Sequence, residues 1–176
     1  MIAENSNVFY IHGLYGSKNS RKFTYIQSKY PNAICLEWKF NDNIDFYLEN
    51  TISTLVNVNE HITLIGSSVG GNFAWQIQQK LIELGKECDL VLINPLVDLA
   101  YKYEDNFPQH LIKYLKSMDE FINTTVFISS QDEVLDANQI NSFFDKYNNV
   151  NSNQVDIKMV DADHRISNFE MLITDF

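Results

Sequence analysis

The chain has 176 residues, 45% of them hydrophobic and 20% charged, the make-up of an ordinary globular protein. A chain of this length buries about 70% of the surface its unfolded form exposes, so it needs no staples to hold a core. The formal charge is −10, and only Arg21 and Arg165 stand among 13 Lys and Arg residues, which argues against a nucleic acid or other polyanion as partner. No run approaches the roughly 18 to 20 apolar residues needed to span a bilayer. Residues 1–7 lack the basic start and apolar core of a secretory leader, so a cytoplasmic protein with no membrane contact is expected. Cys35 and Cys88 fall in apolar runs and are expected to be buried free thiols, not a disulfide or a metal site.

Val8-Phe9-Tyr10-Ile11 reads as a buried strand that runs into the glycine loop His12-Gly13-Leu14-Tyr15-Gly16-Ser17. Residues 20–29 carry a helical pattern that stops at Tyr30-Pro31, because proline disfavours helical geometry in the residue before it. A second strand is expected over 33–37. Ile44, Leu48, Ile52, Leu55 and Val56 recur at helical spacing and lead to a third strand over 62–65. A helix over 70–84 ends at Gly85. Leu90-Val91-Leu92-Ile93 gives a fourth strand, closed by Asn94-Pro95.

Residues 96–123 are less regular, with at least one helix after Pro108, and are expected to sit over a site. A fifth strand at 126–129, a helix at 138–147, a sixth strand at 155–160 and a short closing segment at 167–176 complete the chain. Strand and helix alternate, which calls for a parallel sheet covered on both faces and joined by right-handed crossovers. No repeat or composition break divides the chain, so one domain over 1–176 is expected. In open sheets of this kind function lies beyond the carboxyl ends of the strands. His12, Ser68, Asp132 and His164 all follow such ends.

One stretch carries a chemical pattern. Thr63-Leu64-Ile65-Gly66-Ser67-Ser68-Val69-Gly70-Gly71 matches G-x-S-x-G, the turn in which a serine stands in a strained backbone between strand and helix. Ser68 alone satisfies the register, since Ser67 would need glycine at Ile65. The bare pattern arises by chance in about one chain of this size in twenty. The alternative is a glycine-rich turn that only lets a helix pack on a sheet.

A serine hydroxyl attacks only when a base takes its proton, and the base needs an acid to hold its tautomer. In this fold class the order along the chain is serine, acid, histidine. His12 and His61 precede Ser68, and His110 precedes the best-placed acid, which leaves His164. Asp132 lies just past the fifth strand, with Glu133, Asp136 and Asp98 as competitors for the acid; Asp136 also suits a helix cap. The negative oxygen of acyl transfer needs preorganised donors. The backbone amides of Val69, at a helix N-terminus, and Leu14, in the first loop, are the expected pair. His12 is read as fixing that loop and not as a catalyst.

The chain resembles the YqiA-like esterase family of small α/β-hydrolases. The matching pieces are Tyr10-Ile11-His12-Gly13, Gly66-Ser67-Ser68-Val69-Gly70-Gly71, Ile93-Asn94-Pro95, Asp132-Glu133-Val134-Leu135-Asp136, and His164 with Asn168-Phe169-Glu170. The resemblance implies an α/β-hydrolase-like three-layer sandwich with a mostly parallel sheet of about six strands and a minimal lid. It also implies an esterase on short acyl esters, with Ser68, Asp132 and His164 as triad and no cofactor or metal; thioesters are a further expected substrate of such an acyl-enzyme. Gln131 stands where the family usually has glycine, and Asp161-Ala162-Asp163 replaces a glycine-asparagine approach to the histidine. Substrate choice is expected to depend on the 96–123 segment and on the Leu14-Tyr15 loop, with Tyr15 as a substrate-binding residue and Tyr101, Tyr103 and Phe107 as acyl-pocket or core residues. Two other functions compete. One is a non-catalytic protein-binding module on a hydrolase scaffold, as small relatives such as the retinoblastoma-binding serine hydrolases suggest. The other is nucleotide binding, which the absence of G-x-G-x-x-G from both loops opposes.

Overall fold

A computed structural model describes residues 7–104, 106–152 and 154–166. Apolar runs form six strands: β1 (Asn7–Ile11), β2 (Ile34–Cys35), β3 (Ile62–Ser67), β4 (Cys88–Ile93), β5 (Thr124–Ser129) and β6 (Asp156–Val160). They make one sheet in the order β2-β1-β3-β4-β5-β6, and each neighbouring pair is parallel. Among the described residues the α-helices are α1 (Arg21–Lys29), α2 (Ile44–Leu55), α3 (Val69–Glu83), α4 (Gln109–Ile112) and α5 (Ala137–Val150).

Alternating residues of the strands feed two cores. Phe9, Ile11, Leu64, Leu90, Leu92 and Val126 pack against Leu48 and Leu55 of α2, Phe73 and Ile77 of α3, and Phe144 of α5. On the other face Tyr10, Ile65, Val91, Ile93 and Phe127 meet Phe23 and Ile26 of α1 together with Ile166. Such side-chain alternation is what a sheet buried on both faces requires. Among the described residues no helix is long and apolar enough to cross a membrane.

From β1 the chain steps outward to β2, then returns past β1 to lay down β3 on its other side. The connections on the two sides of β1 therefore run in opposite directions, which puts a topological switch point at the carboxyl ends of β1 and β3. That is where open α/β sheets place their ligands.

Two elements are shorter than the sequence suggests. β2 covers only two residues instead of 33–37. Leu36 still donates to Tyr10 O at 2.8 Å, but Glu37 then turns its carboxylate to the Lys18 amide at 3.0 Å, and pairing ends. The helix after Pro108 is a single turn. Beyond it the backbone is satisfied by side chains of α3: Gln76 donates to Tyr114 O at 2.9 Å, Asn72 to Lys116 O at 2.9 Å, Trp75 to Glu120 O at 2.6 Å and Gln78 to Ile122 O at 2.7 Å. This stretch lies along the flank of α3 and sends Leu111, Met118 and Phe121 into the core.

Candidate active site

β3 runs straight into α3, and Ser68 makes the corner with φ 53° and ψ −123°. Side chains other than glycine avoid this region, at a cost of about 1–3 kcal/mol. The surroundings enforce it: Ser68 N donates to Ile93 O at 3.0 Å, while Ser68 O accepts from Gly71 N at 2.9 Å and Leu96 N at 3.1 Å. The flanking glycines are needed for space. A Cβ on Gly66 would lie 2.6 Å from Gly70 O and from Gly71 Cα, and one on Gly70 would run into the carbonyls of Ile11 and His12. Strand, helix and first loop thus touch backbone to backbone around the serine.

Asp132 follows β5 and is buried. Its Oδ1 accepts from Val134 N and Leu135 N, both at 2.8 Å, and its Oδ2 lies 2.7 Å from His164 Nδ1. A carboxylate pinned in this way fixes the imidazole ring, with Nδ1 as the donor and Nε2 as the free acceptor. The other acids are used differently. Asp136 caps α5, accepting from Asn138 N at 3.0 Å and Gln139 N at 3.2 Å, and these bonds with the Gln139 side chain hold its carboxyl below the usual range. Asp98 caps the turn Leu99–Tyr101 through Ala100 N at 2.9 Å. Glu133 accepts from the backbone of His164 at 2.9 Å, so it anchors the histidine loop and not the ring.

His164 is further tied at its carbonyl, which accepts from Asn94 Nδ2 at 3.1 Å and Lys22 Nζ at 3.3 Å. Lys22 Nζ also donates to Ser67 Oγ at 2.8 Å, so the residue before Ser68 and the histidine share one ammonium. Among the described residues Ser68 Oγ makes no hydrogen bond. Catalytic contacts of this kind are often long without substrate and tighten when it binds.

The loop after β1 turns through Gly13–Gly16, where Gly16 N donates to Gly13 O at 2.9 Å and Tyr15 has φ 59°. Leu14 lies at the centre of that turn. Val69 is the first residue of α3, where amides have no intrahelical acceptor and the helix dipole favours negative charge. His12 is buried at the base of the loop, its ring stacked on Trp38 with centroids 5.4 Å apart, and its carbonyl accepts from the Trp38 indole at 2.9 Å. Burial lowers its pKa, which keeps the ring neutral.

Tyr15 is 79% exposed and stacks on Phe40 at 5.6 Å, while Phe40 meets His110 edge-on at 4.5 Å. Three segments thus build an aromatic shelf beside the first loop. The 96–123 segment contributes to it through His110 and lies otherwise along α3 and beside the acid loop, where Tyr103 N donates to Val134 O at 3.1 Å and Asp136 N to Tyr101 O at 2.7 Å. Phe107 is core, whereas Tyr103 is exposed.

Sequence reasoning missed Lys22 and Asn94. Lys22 interrupts the inward face of α1 beside Phe23 and Ile26, a polar residue where the pattern calls for an apolar one. Asn94 sits at a strand end with φ 44°, a conformation that asparagine tolerates better than most residues. Both cysteines are free. Cys88 is buried and Cys35 half-buried, and burial pushes both thiols up to about 12, so neither is a nucleophile near neutral pH. Among the described residues no group of three or more His, Cys, Asp or Glu could hold a metal ion. Asn168-Phe169-Glu170 and the closing segment 167–176 lie outside the described residues.

No protein-family model matches this chain, and no curated protein does. Solved structures do. A protein described as a YdeN-like hydrolase from Pectobacterium atrosepticum superposes with a TM-score of 0.67 at 14% identity, covering 93% of this chain and 82% of its own. A pyrethroid hydrolase from Sphingobium faniae gives 0.64 at 10% identity over 97% and 96% of the two chains. A Pyrococcus furiosus esterase gives 0.62 at 17% identity over 96% and 79%. The fold is that of the α/β-hydrolases.

Proposed function

We propose that this chain is a serine hydrolase that cleaves short acyl carboxylic esters or thioesters through an acyl-enzyme, and that it is a small α/β-hydrolase of the YqiA-like kind acting in the cytoplasm without cofactor or metal. The observation that carries the reading is an imidazole held at 2.7 Å by a buried carboxylate, on a loop that Lys22 ties to Ser67, the residue before a serine in a forced backbone conformation.

The steps follow from these atoms. Asp132 keeps the proton of His164 on Nδ1 and stabilises the imidazolium that forms when Nε2 takes the proton of Ser68. The freed alkoxide adds to the ester carbonyl. The oxyanion that results is met by the amides of Val69 and Leu14, the first of which also lies at the positive end of α3. Collapse expels the alcohol or thiol, which takes its proton from His164 Nε2. Water, activated by the same nitrogen, then hydrolyses the acyl-enzyme and restores Ser68.

The shelf of Tyr15, Phe40 and His110 beside the oxyanion loop supports an apolar or flat group on the substrate. The solved hydrolases and esterases of like fold support the reaction class. The test is a fluorophosphonate probe followed by peptide mapping, with a chain-length series of p-nitrophenyl esters and acyl thioesters alongside. The expected result is one adduct, on Ser68, and hydrolysis that Ser68→Ala abolishes. Absence of label between pH 6 and 9, or turnover that persists in S68A, overturns the reading.

A further inference from the structure

Lys22 projects from α1 into the interior beneath the two loops of the candidate site and is buried there. A buried ammonium is costly unless its donors are used and opposite charge is near. Both conditions hold. Its Nζ donates to Ser67 Oγ at 2.8 Å and to His164 O at 3.3 Å. The carboxylates that act on it are Asp132 and Glu133 from the loop after β5 and Asp163 from the loop after β6. Tyr10 of β1, near Ser67 and Ser20, stands on the same side of the sheet. Burial pulls the ammonium down to about 8 against the pull of those carboxylates, which leaves it mostly charged at pH 7.

His164 stands on a loop with no helix or strand of its own. Its position is set by Asp132 on the ring, Glu133 on the amide, and Asn94 and Lys22 on the carbonyl. Asp132 and Glu133 refer it to β5, and Asn94 to the end of β4. Lys22 refers it to Ser67, one residue before the candidate nucleophile. We propose that Lys22 is a positioning residue for His164, tying the loop that carries the imidazole to the end of the strand that leads into Ser68. Its kinetic consequence rests on the serine-hydrolase reading; the structural link does not.

The experiment compares wild type, Lys22→Met and Lys22→Arg by turnover of p-nitrophenyl acetate, by proton NMR of the low-field imidazole Nδ1–H resonance, and by thermal melting. Misplacement of a base by about 1 Å costs roughly 100-fold, so K22M is expected to lower kcat by about 10–100-fold with KM within about threefold. The Nδ1–H resonance is expected to broaden or vanish in K22M and to return, with part of kcat, in K22R, whose guanidinium can still donate to both oxygens. A folded K22M with unchanged kcat and an unchanged resonance overturns the proposal.

If K22M loses its cooperative melt, Lys22→Gln, which is polar and uncharged but one bond too short to hold both oxygens, carries the same comparison. Loss of the fold in both variants at 10 °C assigns Lys22 to general stability and also overturns the proposal. A wild type that takes no fluorophosphonate label but loses the resonance in K22M refutes the hydrolase reading while the positioning role stands.

Discussion

Among the described residues, two histidine–aspartate pairs of nearly equal length stand at opposite ends of the sheet. His164 Nδ1 lies 2.7 Å from Asp132 at the carboxyl ends of the strands, and His61 Nε2 lies 2.8 Å from Asp89 at the amino ends. The pairs differ in what surrounds them. The side chain of Asp132 is 1% exposed and its second oxygen takes two backbone amides, whereas the side chains of His61 and Asp89 are 27% and 29% exposed and no strained serine adjoins them. An imidazole beside a carboxylate is therefore not a site in itself. It becomes a candidate where burial freezes its geometry and its loop is tied to a strand that ends in a strained serine.

The largest contrast is expected from removing the charge of each carboxylate in turn. Asp132→Asn should lower kcat on p-nitrophenyl esters by about 10³–10⁴-fold, because an amide favours the wrong imidazole tautomer, while Asp89→Asn should leave kcat within about twofold. Comparable losses in the two variants would erase the distinction between the ends.

The amino end should show itself in stability. Cys88 opens β4 beside Asp89, and burial pushes its thiol up to about 12. Above about pH 9 the unfolded thiol ionises while the folded one keeps its proton, so the native state binds more protons and stability falls as pH rises, by at most about 1.4 kcal/mol per pH unit from this group. Its contribution is fully present below pH 9 and is lost as pH climbs toward 12. Urea unfolding of Cys88→Ala should show a shallower decline over pH 9–11 than wild type, with kcat at pH 7.5 unchanged. An identical slope would remove Cys88 from the alkaline limb.

At the carboxyl end, stability and chemistry should move in opposite directions. Ser68→Gly removes the side chain from a backbone conformation that glycine adopts freely, so urea denaturation should show a gain of about 1 kcal/mol as esterase activity disappears. A destabilised S68G would mean that the corner holds no strain. The smallest effect is expected for His61→Ala, about 0.5 kcal/mol of stability by the same measurement, since partly exposed ion pairs contribute little.

Much of this was legible in the residues. The six strands and the principal helices follow from apolar runs and 3.6-residue spacing, and Gly66 and Gly70 announce the corner at Ser68 because no other residue fits where backbone meets backbone. The helix cap at Asp136 was readable from its place before Ala137-Asn138. What the chain order could not convey is convergence. Asp98, Glu133 and Asp136 all fit the acid by spacing, and three-dimensional placement alone leaves Asp132 beside the imidazole. The contacts of Lys22 and Asn94 with His164 were invisible because they span 142 and 70 residues, and no periodicity records such contacts. The shortness of β2 and α4 was hidden for a related reason: side chains from elsewhere take over the backbone bonds that regular structure would have made.

That substitution has an architectural corollary. From Tyr114 to Ile122 the main chain is fastened like a rail to a row of amide and indole donors on α3, whereas Tyr103 and Glu104, just upstream, stand out in solvent. New sequence grafted near residue 104 would leave those fastenings in place, so this scaffold offers a port at which chain can be added without loosening the segment that follows.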